Sequence, residues 1–140
     1  MAINTSAIII NASKQNVWES LTQPQLVKQW QYGSDLTTTW EPRTPIRFRT
    51  VWEDTVFEQW GQVLEVQPTG FLKYTLFAPR PGLEDKPENY FTMLYRLSGE
   101  NGQVKLEIIQ EDNRPGAVEE APQGDENGVL QALKKVAEAV

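Results

Sequence analysis

The chain of 140 residues contains neither cysteine nor histidine. Without cysteine it can form no disulfide and no thiolate metal site. Without histidine it lacks the commonest general base, the commonest zinc ligand and the base of the usual serine and cysteine triads. An enzyme built on this chain would have to rely on carboxylates or tyrosines as its acid–base groups.

The sequence also lacks a signal-peptide pattern and any apolar run long enough to cross a bilayer. We therefore expect a cytoplasmic protein with no membrane span. The formal net charge of −6 argues against a nucleic-acid partner, since such partners favour basic surfaces. Acidic pairs such as Glu84–Asp85 and Asp125–Glu126 lack the spacing of a calcium-binding loop. We expect no metal site and no cofactor.

The first thirty residues carry the clearest pattern of local structure. A β-branched run predicts a strand over residues 5–11, and Ser13 is a suitable N-cap for a helix over residues 14–21. Pro24 suits the first turn of a second short helix that ends at Trp30. We expect two tryptophans to pack these helices against a sheet: Trp18 and Trp30.

The middle of the chain predicts consecutive antiparallel strands, because apolar residues alternate with polar ones and short turns separate the runs. An Asn-Gly pair within residues 99–102 indicates a tight hairpin. Both faces of two runs, 57–66 and 71–77, carry apolar residues, so the pattern leaves open which face points inward. The strands are predicted over residues 46–53, 57–66, 71–77, 90–98 and 104–111.

The last part of the chain combines a polar, acidic segment, residues 112–127, with an amphipathic helix over residues 129–140. The predicted order is one strand, two short helices, about six strands and a C-terminal helix. We interpret residues 1–140 as a single α+β domain in which the last helix covers a curved sheet. One helix laid in a curved sheet often leaves space for a ligand.

Five short motifs resemble the Hsp90-ATPase-activator-homologue branch of the START/Bet v 1-like superfamily. They occur in the same order as in that family and span nearly the whole chain. The motifs are Val17-Trp18-x-x-Leu21, Thr38-x-Trp40-Glu41-Pro42, Gly61-x-Val63-x-Glu65-x-x-Pro68, Leu72-x-Tyr74-Thr75 and Gly128-x-Leu130-x-x-Leu133-Lys134.

The resemblance implies a helix-grip fold: a curved antiparallel sheet, two short N-terminal helices and a long C-terminal helix over a central cavity. Relatives bind lipids, hydrophobic hormones or other small apolar molecules, and a minority catalyse reactions on them. On this basis we expect the chain to bind a small hydrophobic or amphipathic molecule, or a lipid. The expected cavity residues are Phe48, Thr50, Trp60, Tyr74, Leu106, Ile108, Gln110, Leu130, Leu133 and Ala137.

Gln110 is a neutral amide at the end of an otherwise apolar inward row. A buried amide needs hydrogen-bond partners, so Gln110 either binds the polar group of a ligand or lies in water at the cavity mouth. The sequence leaves both interpretations open.

Two other functions remain open. The chain could be a protein-interaction module, for instance a chaperone partner, because the resemblance extends to domains of Hsp90 co-chaperones. Its acidic segment, residues 112–126, would be the candidate contact surface. It could instead be an enzyme on a small apolar substrate, with Tyr74 and Tyr95 as candidate acid–base groups.

Overall fold

The computed structural model describes residues 1–100, 102–124 and 126–140. Within these residues one antiparallel sheet of seven strands runs in the order β1-β7-β6-β5-β4-β3-β2. Three α-helices and one 3-10 helix complete the fold. The elements are β1 (Ala2–Ile10), α1 (Lys14–Thr22), α2 (Pro24–Trp30), β2 (Asp35–Thr38), β3 (Pro45–Trp52), β4 (Thr55–Gln67), β5 (Phe71–Leu76), a 3-10 helix (Pro87–Asn89), β6 (Phe91–Glu100), β7 (Gln103–Asp112) and α3 (Gly128–Ala139).

This architecture confirms the predicted α+β helix-grip fold, with the last helix at the C-terminal end of the chain. The added element is β2, to which the sequence pattern assigned no residues, because its four residues are too few for a clear alternation. Asn101 of the predicted hairpin turn lies outside the described residues, as does Asp125 of the acidic pair.

Both short helices are fixed by their tryptophans, as expected. The Ser13 hydroxyl caps α1 by accepting a hydrogen bond from the backbone N–H of Asn16 at 3.1 Å. Trp18 and Trp30 are both buried in the hydrophobic core. The indole N–H of Trp30 donates to the carbonyl of Ser20 at 2.7 Å, which satisfies its polar atom inside the core and joins α2 to α1.

The free edge of β1 is closed by the C-terminal part of the chain. Exposed edge strands are prone to pair with other chains, and proteins commonly cover them. Here backbone groups of alternate residues along the edge are hydrogen-bonded by residues 119–138. The pairs are Ile3 N–H with Glu119, Thr5 C=O and Ala7 N–H with the backbone of Gln123, Ile9 C=O with Lys134, and Asn11 N–H with Glu138.

The register of β4 depends on a very close approach at Gly61. A Cβ placed on this residue would lie 1.8 Å from the backbone carbonyl oxygen of Thr75 on β5. Only glycine permits this spacing, because the obstructing atom belongs to the backbone and cannot rotate away. The resulting register places Val63 opposite Tyr74 and brings Trp60 into a bridge with Phe77.

We predict that Gly61→Ala lowers the free energy of unfolding by at least about 2 kcal/mol, since the new methyl group overlaps the β5 backbone. Gly128→Ala is the matched control, because no atom lies within 4 Å of a Cβ at that position at the start of α3. Urea unfolding followed by circular dichroism measures both. Equal stabilities of the two variants would contradict the close approach.

Candidate ligand-binding site

The candidate site lies at the C-terminal end of the inward face of β7. The register aligns Gln110 of β7 with Asn4 on β1 and with Met93 on β6. One step back along the same face, Ile108 lies opposite Ser6 of β1. Two apolar side chains and three polar ones therefore share one surface of the sheet.

Residues 113–123 rise over this surface and turn it into a pocket of about 410 Å³. Asn4 fastens the segment at its middle. Its side-chain amide donates to the carbonyl of Val118 at 3.3 Å, and its side-chain oxygen accepts from the backbone N–H of Glu120 at 2.6 Å. Pockets of this volume are typical of small-molecule sites.

Two polar groups on the pocket floor have no partner within the part of the chain that the structure describes. They are the side-chain amide of Gln110 and the hydroxyl of Ser6, and both residues are half-buried. The polar atoms of both groups reach solvent, since no buried side-chain N or O atom of the described residues lacks a partner, so each group can bond water or a ligand. The floor thus offers both donors and acceptors beside the apolar surfaces of Met93 and Ile108.

An ion pair forms one side of the pocket. The carboxylate of Asp112 accepts two hydrogen bonds from the Arg114 guanidinium, at 2.9 Å from Nε and 2.7 Å from Nη2. These bonds hold the pKa of Asp112 below its ordinary value, with smaller contributions from the backbone N–H of Arg114 and the charge of Arg80. Arg114 also lies 4.5 Å from the centre of the Phe91 ring.

Arg80 brings a second guanidinium to the pocket wall. In the described ranges no carboxylate forms an ion pair with it. Because Arg114 is already paired with Asp112, Arg80 is the cation of this wall whose charge is available to a ligand.

Deeper in the fold, a cluster of buried side chains lies between the sheet and the helices. The hydroxyls of Tyr74 and Tyr95 lie 3.0 Å apart, and the two rings stack with their centres 5.9 Å apart. The Phe48 ring packs on Tyr74 at 5.9 Å. Burial raises the pKa of both phenols, so both remain neutral at physiological pH. The pair is a satisfied polar contact inside the core.

The structure separates the ten residues of the predicted cavity into four groups. Ile108 and Gln110 line the pocket. Thr50 is half-buried, with its hydroxyl 2.6 Å from that of Ser34. Trp60 is on the other face of the sheet. The remaining six are buried in the core cluster: Phe48, Tyr74, Leu106, Leu130, Leu133 and Ala137. Ligand contact by any of the ten stays a prediction.

The position of Trp60 differs from the expectation because of strand register. Trp60 pairs with Arg47 of β3, whereas the inward Phe48 pairs with Gln59. Trp60 therefore points away from the helices, and its ring packs on Phe77 at a centre-to-centre distance of 5.4 Å. Apolar residues near Trp60 occupy both faces of β4, so the alternation of the sequence did not show which face Trp60 lies on.

Sequence reasoning missed several residues of the pocket wall. Ser6 belongs to the predicted first strand and Asn4 directly precedes it, but polar residues near a chain terminus carry no pattern that marks them as inward. Arg80 comes from a proline-rich loop, and only the folded chain brings it to β7. The Asp112–Arg114 pair could have been predicted, because the two residues have opposite charges and are two positions apart in the sequence.

Neither a metal centre nor a membrane helix is found in the described part of the chain. No group of three or more acidic side chains there could hold a metal ion. Among the same residues no helix has the length and hydropathy needed to cross a bilayer.

Comparison with known proteins gives one family and a set of similar folds. The family model described as "Activator of Hsp90 ATPase homolog 1-like protein" matches residues 11–140. A search of curated proteins found no match.

Solved structures with the same fold come from several bacteria. A solution structure from Cytophaga hutchinsonii is 24% identical with a TM-score of 0.69, covering 99% of this chain and 85% of that one. A crystal structure from Nitrosomonas europaea is 16% identical with a TM-score of 0.75, covering 99% and 95%. The Aha1 dimer from Colwellia psychrerythraea is 15% identical with a TM-score of 0.67, covering 99% and 97%.

We predict that replacing one tyrosine of the buried pair costs more than replacing both. Tyr74→Phe leaves the Tyr95 hydroxyl buried without a partner, which should lower the free energy of unfolding by about 1–3 kcal/mol. The double variant Tyr74→Phe/Tyr95→Phe should be more stable than either single variant. Tyr32→Phe is the control, since that side chain is 76% exposed. Additive losses in urea unfolding would show that the hydroxyls are not coupled.

Proposed function

Because the chain belongs to the Activator of Hsp90 ATPase homolog 1-like family, whose model matches residues 11–140, we propose that it binds a small amphipathic molecule in the pocket under residues 113–123. The observation that carries this proposal is the unpartnered amide of Gln110 on the floor of that pocket. The ligand would lie at the end of β7, between the sheet and the overlying segment.

Apolar contact would supply part of the binding free energy. Met93 and Ile108 present half-buried side chains toward the pocket, so an alkyl or aryl group laid on them would leave water. Burial of apolar surface contributes about 25 cal/mol per Å², less the cost of ordering the ligand. Behind them lies the cluster of buried core side chains, which supports a compact ligand over a long chain threaded beneath α3.

The polar groups would select the head group of the ligand. The Gln110 amide both donates and accepts, and the Ser6 hydroxyl beside it does the same. The guanidinium of Arg80 adds a positive charge at the wall. A ligand with a carboxylate on an apolar body could bond all three groups. A ligand without the carboxylate would leave these groups unpaired in the complex and should bind more weakly.

A protein-interaction module, for instance a chaperone partner, is the second candidate function. The observation that favours it is the tip of the β3–β4 hairpin, where Val51, Trp52, Val56 and Phe57 are 45–67% exposed. Exposed apolar clusters of this kind commonly mark contact surfaces. The acidic segment is a weaker candidate, because the carboxylate of Glu119 is already hydrogen-bonded to β1.

The ligand proposal predicts saturable binding that is reported by Met93. The chain has two methionines, Met1 and Met93, so a ¹³C-methyl-methionine spectrum contains one signal from the pocket and one reference. We expect medium-chain fatty acids or arylacetates to shift the Met93 signal. The corresponding alcohols should bind more weakly, because they lack the charge that pairs with Arg80.

Gln110→Leu should weaken binding of the carboxylates by about tenfold, the effect of losing one good hydrogen bond. Gln29→Leu, the same change on the exposed face of α2, is the matched control and should bind as the unmodified protein does. The proposal fails if no member of the panel shifts Met93, or if Gln110→Leu binds with unchanged affinity.

A further inference from the structure

Three aromatic rings form a cluster on the outer face of the sheet, opposite the three α-helices. The Phe77 ring is buried at its centre, with the Trp60 and Tyr90 rings on either side at 5.4 Å between ring centres. The planes are tilted by 42° and 38° to that of Phe77. Trp60 and Tyr90 are only half-buried, so part of each ring faces outward.

A carboxylate is held between the two outer rings. Asp85 accepts a hydrogen bond from the Trp60 indole N–H at 3.0 Å and another from the Tyr90 hydroxyl at 2.6 Å. The two bonds use different oxygens of the carboxylate, so its orientation is fixed. The hydrogen bonds from Tyr90 and Trp60 keep the pKa of Asp85 below its ordinary value, and the group is ionised at neutral pH.

The charge of Asp85 is not neutralised by a neighbouring cation. Among the described residues the nearby basic side chains are paired with other carboxylates, Arg47 with Glu58 at 2.8 Å and Lys86 with Glu84 at 2.9 Å. The guanidinium carbon of Arg47 also lies 6.0 Å from the centre of the Trp60 ring, so this cation already borders one side of the cluster. No arginine or lysine contributes to the lowered pKa of Asp85. The negative charge of Asp85 thus lies beside the aromatic rings with no cation paired to it among the described residues.

A pocket of about 430 Å³ opens at this place, bounded by Trp60, Asp85, Pro87 and Tyr90. Gly61 contributes to its wall, so the backbone is accessible beside the indole. The pocket is on the opposite face of the sheet from the one that contains Gln110, since Trp60 and Tyr74 point in opposite directions.

We infer that this outer pocket, formed by Trp60, Tyr90 and Asp85, binds a small organic cation, such as a methylated or primary ammonium group. Ammonium groups are attracted to aromatic faces, and quaternary ammonium ions are commonly recognised by aromatic residues arranged around them. The carboxylate adds direct charge complementarity. A metal ion does not fit this pocket, because Asp85 is the one carboxylate among its lining residues. Hard cations need several oxygen ligands, and indole and protonated phenol groups do not supply them.

The test is a titration with choline, followed through the indole N–H signals in a ¹⁵N spectrum. The uncharged isostere 3,3-dimethylbutan-1-ol is the control ligand, because it has nearly the same shape without the charge. Trp60→Phe identifies the Trp60 signal. The Trp30 indole, which is buried and bonded to the Ser20 carbonyl, is the internal reference. We expect choline to shift the Trp60 signal saturably and the isostere to leave it unchanged.

Two aspartate variants separate the charge at the site from general electrostatics. Asp85→Asn removes the negative charge and should weaken choline binding by about tenfold or more. Asp54→Asn makes the same change at the β3–β4 hairpin tip and should have no effect. Equal shifts by choline and its isostere, no saturable shift at all, or unchanged binding by Asp85→Asn would each overturn the inference. Met93 is not involved, so these results are independent of the ligand proposal.

Discussion

The pairing of β4 with β5 is the constraint on which the buried core and the outer aromatic pocket depend. Its register is set at Gly61, where the two backbones come so close that no side chain fits. A slip by one residue would exchange the two faces of β4 and move every side chain to the opposite side. In the observed register Tyr74 points inward and Trp60 points outward. The register therefore decides which of these aromatic residues belongs to the core and which belongs to the outer surface.

The inward-facing side chains of the sheet pack under the helices. Tyr74 and Tyr95 satisfy each other's hydroxyls, and the leucines of α3 pack over the same region. The room for a ligand is therefore at the end of β7, where polar residues replace apolar ones along the strand. Residues 113–123 close that end, and their attachment to β1 also protects the edge of the sheet. One segment thus forms the pocket wall and covers an unpaired strand.

Much of the fold was predictable from the sequence, because amphipathic periods, an N-cap at Ser13 and a hairpin signal are local features. The Gln110 position was also predictable, since it follows directly from alternation along a single strand. The orientation of Trp60 was not, because β4 has apolar residues on both parities and only its pairing with β3 and β5 decides the face. Arg80 and Asp85 belong to a loop without periodicity. Their positions depend on tertiary contacts, which no local pattern encodes.

The tyrosine pair lies in a packed interior that is closed to solvent, with Tyr74 3% and Tyr95 5% exposed. This closure can be tested by following the ¹³Cζ signals of Tyr74 and Tyr95 as the pH is raised. Burial raises both pKa values above the ordinary value of 10.0, so the folded chain should retain both protons at that pH.

The unfolded chain loses these protons near pH 10, so the free energy of unfolding should fall as the pH rises above that value. We therefore expect both ¹³Cζ signals to keep their phenol values until the chain unfolds. Reversible ionisation of either tyrosine near pH 10 in the folded protein would show that water reaches the interior, and would contradict the account.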